Sequence, residues 1–231
     1  MQNMVKREIE EKEGLLNDIE EPVDLKLNPL EHFKKCIIRV ADYSLRYPDA
    51  AGNVFENMTF TIEQGERVFI NGENGCGKSS FVKALLRHGG YEDTDGVAVC
   101  EGGTLEVASN LIVSYISQDT SFLKGSLGDY AKKKNLDYSL LLTLLRQLDF
   151  DRVQFDKKME DYSEGQKKKV LIASSLMTPA HLYIWDEPLN YVDVFSRMQI
   201  ERLILKYEPT MLLIEHDEKF REKIATKIIE M

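Results

Sequence analysis

The segment GENGCGKS, Gly72–Ser79, constrains the fold of this chain more than any other. It fits the spacing G-x-x-x-x-G-K-[ST]. It follows the short apolar run RVFI, Arg67–Ile70, and opens SSFVKALLRH, whose apolar residues recur at helical spacing. A strand that runs through a glycine-rich loop into a helix points successive backbone N–H groups at one spot, where an anion sits. Gly72, Gly75 and Gly77 supply the tight turns. The helix beginning near Lys78 adds its positive end. Lys78 is expected to reach the β- and γ-phosphates of a nucleotide, and Ser79 to place its hydroxyl on Mg²⁺. Asn74, Cys76 and Ser80 complete the expected contact set. Cys76 enters as a small loop residue at the start of the helix.

About a hundred residues later, HLYIWDEP, His181–Pro188, reads as a buried strand ending in two acids. Carboxylates at such a strand end, beside a phosphate loop, suit metal and water chemistry. Asp186 is the expected Mg²⁺ residue, direct or through water. Glu187 is the expected general base that polarises the attacking water.

Composition narrows the class. The 231 residues suit one α/β domain, or one with a small appendage, and 43% hydrophobic with 30% charged residues is globular usage. A net charge of -9 argues against a general basic face for DNA. Cys36, Cys76 and Cys100 are odd in number and match no zinc spacing, so a reducing cytoplasm is expected. No apolar run approaches the ~20 residues needed to span a bilayer. The N-terminus has no apolar stretch of the signal-peptide kind. A membrane, if one is involved, must come from a partner.

Residues 1–21 are charge-dense with sparse apolar anchors, which predicts an extended helix or linker tail. Pro22 breaks that run, and residues 23–32, with Pro29, predict an irregular connector. From Cys36 the texture changes. Strands are expected at CIIRVADYSLRY, VFENMTFTIEQG, RVFI, 105–107, 111–116, HLYIW and MLLI. A mostly helical stretch is expected over Ser126–Leu148, with Leu127, Tyr130, Leu140, Leu141, Leu144, Leu145 and Leu148 as its apolar face. Further helices are expected over Gln166–Thr178 and around Ser196–Lys206. Strands alternating with helices imply an α/β fold with a largely parallel sheet covered on both faces.

YSEGQKKKV, Tyr162–Val170, resembles the signature loop LSGGQ of the ATP-binding cassette (ABC) family, with Tyr162 for Leu and Glu164 for Gly; Ser163, Gly165 and Gln166 are kept. Ser163 and Gln166 also have the spacing of a helix capping box. The Lys167–Lys169 run reads as a solvated face. The resemblance covers about residues 36–231. It implies a P-loop NTPase core of the ABC type, with an antiparallel β-subdomain (about 36–70 and 97–112) and an α-helical signature subdomain (about 120–178). On this reading residues 1–33 are a linker stub and connector, and 34–231 the ATPase domain. Gln118 resembles the Q-loop glutamine that senses Mg²⁺ and water. LNYVD, Leu189–Asp193, resembles the D-loop, and His216 the switch histidine at the γ-phosphate. Tyr47 lies where the family stacks adenine, with Tyr43 and Phe55 as competitors.

The resemblance implies a composite site. Two cassettes, a homodimer or this chain with a missing N-terminal cassette, sandwich MgATP head to tail, and Ser163, Gly165 and Gln166 act on the other cassette's nucleotide. DEPLNYVD and the lead-in EKEGLLNDIEEPVDLKLNPLEHFKK resemble ABC-F proteins of the antibiotic-resistance type, which act on ribosomes. The chain then looks like the C-terminal half of such a protein. The alternatives are the soluble ATP-binding subunit of an ABC transporter and a non-catalytic scaffold. Intact Lys78, Glu187 and His216 argue against the last.

Overall fold

A computed structural model describes residues 26–91 and 99–231. The expected helix or linker tail over 1–21 lies outside these residues, as do residues 23–25 of the connector and 97–98 of the β-subdomain.

Among the described residues, eight strands form two sheets, accompanied by six α-helices. Strand β1 (Cys36–Arg46) pairs antiparallel with β2 (Phe55–Glu63) on one side and β4 (Cys100–Val107) on the other. The second sheet is parallel, in the order β5 (Val113–Ile116), β6 (Leu182–Asp186), β7 (Met211–Ile214), β3 (Arg67–Asn71), β8 (Lys227–Glu230). The sequence-based limit of the β-subdomain is therefore too generous. Residues 67–70 form a central strand of the parallel sheet, because an uninterrupted apolar run needs cover on both faces.

The alternation of side chains along the parallel strands divides the interior. Val68, Ile70, Leu182, Ile184, Leu212 and Ile214 join one core, with Phe81 and Leu85 of helix α1 (Lys78–His88) and the inner face of β1 and β2. Phe69, Tyr183, Trp185, Met211 and Leu213 point the other way, into a core shared with the helical region. Helix α1 is thus packed between the two sheets, and its N-terminus is fixed by apolar contacts on both sides.

The stretch expected to be mostly helical is two helices, α2 (Leu127–Lys133) and α3 (Tyr138–Gln147). The chain breaks at Asn135 (φ 53°) and restarts at Asp137, whose carboxylate accepts from the Leu140 N–H. Leu140 was expected on the buried face but is 40% exposed; the restart rotates it toward solvent. Helix α4 (Glu164–Met177) carries the signature. Its capping box is formed as the spacing implied: Ser163 Oγ accepts from the Gln166 N–H, and Gln166 Oε1 accepts from the Ser163 N–H at 2.9 Å. Helices α5 (Val194–Tyr207) and α6 (Glu218–Ile224) cover the sheet; α6 and β8 have too short a pattern to read from sequence.

Among the described residues, no helix is long and apolar enough to cross a membrane.

Candidate active site

The carboxyl ends of β3, β5, β6 and β7 are neighbours along one edge of the parallel sheet, and each delivers a polar residue to the same place. β3 leads into the phosphate loop, β5 to Gln118, β6 to Asp186 and Glu187, and β7 to His216. In open parallel sheets this edge is where ligands bind. A cleft of about 700 Å³ opens there, lined by Tyr47 and residues 52–54, by Asn74, Gly75, Gly77, Lys78, Ser79 and Ser80, and by Gln118, Glu187, Asn190 and His216.

Gly75 (φ 86°) and Gly77 (φ 107°) take the left-handed conformations the loop requires. Gly77 has a second constraint: a Cβ there would sit 2.5 Å from Val54 Cγ1 and 2.9 Å from Phe55 Cδ1. Lys78 is buried, and its ammonium donates to the Gly72 and Glu73 carbonyls, both at 2.8 Å. An ammonium has three N–H bonds, so one remains for a phosphate oxygen. Gly72 and Cys76 do not line the cleft. The Cys76 N–H is turned to the Glu73 carbonyl at 3.3 Å, and the Cys76 thiol packs where a Gly72 Cβ would go.

Asp186 ends β6 and is 1% exposed. Burial raises its pKa, a hydrogen bond from the Ser79 hydroxyl opposes the rise, and the nearby Glu187 carboxylate adds to it. Asp186 Oδ1 has no hydrogen-bond partner. A buried, unsatisfied carboxylate oxygen beside a hydroxyl fits a hydrated Mg²⁺. Among the described residues, no group of three or more His, Cys, Asp and Glu could hold a metal ion.

Glu187 takes a positive φ of 51°, an uncommon conformation for a non-glycine residue, and its N–H donates to the Ile214 carbonyl at 2.9 Å. Glu187 Oε2 accepts from Gln118 Nε2 at 2.8 Å and from Asn190 Nδ2 at 2.7 Å. Oε1 faces His216 Nε2 at 3.5 Å. The predicted trio Gln118, Glu187 and His216 is brought together, and Asn190 joins it, a residue the sequence reading had left inside the D-loop without a role. Glu215 was also missed. It is buried, and its carboxylate accepts from the Leu189 and His216 N–H groups, tying the D-loop to the switch loop.

Tyr47 lines the cleft and shares a 2.8 Å hydrogen bond with Ser80 Oγ. Its competitors are core residues: Tyr43 and Phe55 are buried against Phe81. Ser163, Gly165 and Gln166 do not line this cleft. Gly165 instead lies so close to the Tyr191 carbonyl that any side chain would collide with it.

The lysine run is not a solvated face. Lys168 and Lys169 are 3% and 8% exposed. Lys169 Nζ donates to the Asp149 carbonyl at 3.0 Å and pairs with Asp193 at 2.7 Å. A lysine run looks solvated in sequence, but long stems can carry the ammonium to carbonyls inside the fold.

The ABC transporter family profile matches residues 55–190. The chain belongs to this family: it is an ATP-binding cassette, and the family's cassettes are ATPases. Curated relatives include the ATP-binding protein Uup of Buchnera aphidicola, 28% identical over 182 residues, covering 75% of this chain and 29% of the relative. ABC transporter F family member 5 of Arabidopsis thaliana is 26% identical over 212 residues, covering 85% and 28%. The ribosome protection protein VmlR of Bacillus subtilis is 28% identical over 173 residues, covering 74% and 30%. The chain thus spans less than a third of the length of each of these relatives. A solved ATP-binding subunit of an ABC transporter has the same fold, with a TM-score of 0.66 at 23% identity over 84% of this chain and 85% of that one.

Proposed function

We propose that this chain binds MgATP in the cleft and hydrolyses it with Glu187 as general base. The observation that carries this reading is the arrangement around Glu187. Gln118 and Asn190 saturate Oε2, which leaves Oε1 to take a proton from water. As the proton moves to Glu187, the water oxygen bonds to the γ-phosphorus and the bond to the β–γ bridging oxygen breaks, giving ADP and phosphate. Lys78 and the loop N–H groups hold the phosphate charge; His216 stands beside Glu187 to contact the γ-phosphate. Tyr47 stacks on the adenine. Bound Mg²⁺, held through Ser79 and Asp186 with Gln118 nearby, would neutralise charge on the β- and γ-oxygens.

The cassette works in a pair. Val194, Phe195 and Met198 in the first turns of α5, and Tyr191 in the D-loop just before it, are exposed hydrophobic residues, which supports contact with a second cassette. Ser163, Gly165 and Gln166 act on the nucleotide of that partner, consistent with their position outside this cleft. The wider system is an ABC-F protein acting on the ribosome in the cytoplasm. DEPLNYVD and the similarity to F-family members and to a ribosome protection protein support this assignment. A transporter subunit is the second reading, favoured only by a shared fold.

Sedimentation tests the assignment. Glu187→Gln in the protein carrying this cassette is expected to pellet with ribosomes in the presence of MgATP and to stay in solution without it. Equal pelleting in both conditions, or none, counts against the ribosome.

A further inference from the structure

We infer that Lys168 is a positioning residue for hydrolysis: it holds the Gln118 segment against the signature helix and so sets where the Gln118 side chain meets Glu187. The inference rests on the ATPase reading above and adds a residue to it.

Lys168 lies in the second turn of α4, the helix that begins at the signature. Its ammonium donates to two successive carbonyls, Ser117 at 3.0 Å and Gln118 at 3.1 Å, just past the end of β5. The next link is the Gln118 side chain, whose Nε2 reaches Glu187 Oε2 at 2.8 Å. A continuous path therefore runs from the signature helix, through one lysine, to the proposed general base. A second contact points the same way: Thr120 Oγ1 donates to Glu164 Oε2 at 2.7 Å, so the segment is tied to α4 at both ends.

Burial of this cation calls for an explanation. A lysine 3% exposed gives up hydration that a surface lysine keeps, and burial lowers its pKa. The carboxylates of Asp186, Glu187, Glu164 and Glu215 oppose that effect and favour the charged form. The ammonium thus sits on the segment that carries Gln118, within the field of the acids of the site. A neutral side chain of similar length would fill the space and let the segment move.

The signature loop and the Gln118 segment belong to different composite sites: the first faces a partner's nucleotide, the second this chain's own. A lysine that joins them couples the seating of α4 to Glu187 through Gln118.

The test compares Lys168→Met, Lys168→Arg and Gln118→Ala with the wild-type chain, each checked for folding by its unfolding transition. Lys168→Met is expected to raise amide hydrogen exchange across 117–121. It is also expected to lower kcat by about tenfold or more, with the KM for ATP changed by less than about threefold. Lys168→Arg, which keeps charge and donors, should recover most of the rate. The double variant Lys168→Met/Gln118→Ala should be no slower than Gln118→Ala alone, since both act through one contact. A purely structural lysine would give losses that multiply. Unchanged exchange, a kcat within about twofold of wild type, or multiplicative losses would overturn the proposal. If Lys168→Met does not fold, Lys168→Gln serves, with the same outcomes. A wild-type chain with no turnover above Lys78→Ala would count against the ATPase reading instead, and the contact would then stand or fall on exchange alone.

Discussion

Asn190 Nδ2 donates to Glu187 Oε2 at 2.7 Å, so the D-loop holds the side chain of the residue three positions before it. This bond and the one from Gln118 engage Oε2 and leave Oε1 facing His216 Nε2 at 3.5 Å. Asn190→Ala is expected to reduce kcat by about tenfold while the KM for ATP moves little, because the bond orients the proposed base. Asn190→Asp places a second carboxylate against the first and is expected to cost more. Steady-state ATPase rates measure both; wild-type turnover in Asn190→Ala would remove Asn190 from the site.

Asp193 is the N-cap of α5 and the ion-pair partner of Lys169. Burial alone would raise its pKa. The hydrogen bond from Lys169 and those from Ser196 outweigh burial and hold the carboxyl at about 2. An unfolded aspartate titrates near pH ~3.9. The folded value is the lower one, so Asp193 contributes stability that is complete above the unfolded value and is lost as pH falls toward the folded one. Asn also caps helices, so Asp193→Asn removes the charge and keeps the cap. The melting temperature of Asp193→Asn should lie below wild type at neutral pH and converge with it under acid. A constant gap would show that the Lys169 pair contributes nothing.

Gly77 combines a φ of 107° with a neighbour 2.5 Å from any added Cβ. Gly77→Ala is expected to destabilise the chain by roughly 2 kcal/mol or more, from backbone strain and overpacking together. Gly52 has nothing within 4 Å of an added Cβ, so Gly52→Ala provides the control. Urea unfolding of the two variants reads the difference; equal midpoints would mean that the loop relaxes freely.

Much of the site was legible in sequence because each element needs a particular residue at a strand end. Gly72–Ser79, Asp186–Glu187, Gln118 and His216 all follow short apolar runs, and those runs became adjacent strands of one sheet. What escaped was set by tertiary contacts. Lys168 and Lys169 have the composition of a solvated face, and only the approach of the carbonyls of Ser117, Gln118 and Asp149 gives them buried partners. Glu215 looks like any loop acid until its carboxylate meets two N–H groups from separate loops. Leu140 fits the apolar period of a single helix, and the period was broken by a left-handed Asn135. The parallel pairing of the larger sheet, by contrast, followed from the alternation of apolar runs and helices.

The most direct measurement is the nucleotide held by Glu187→Gln after incubation with MgATP, separated into ATP and ADP, with Lys78→Ala in parallel. If Glu187 is the base, Glu187→Gln retains ATP unhydrolysed under conditions in which wild type yields ADP, and Lys78→Ala retains neither. ADP formed by Glu187→Gln at close to the wild-type rate would contradict the assignment of Glu187, and with it the proposed chemistry of the cleft.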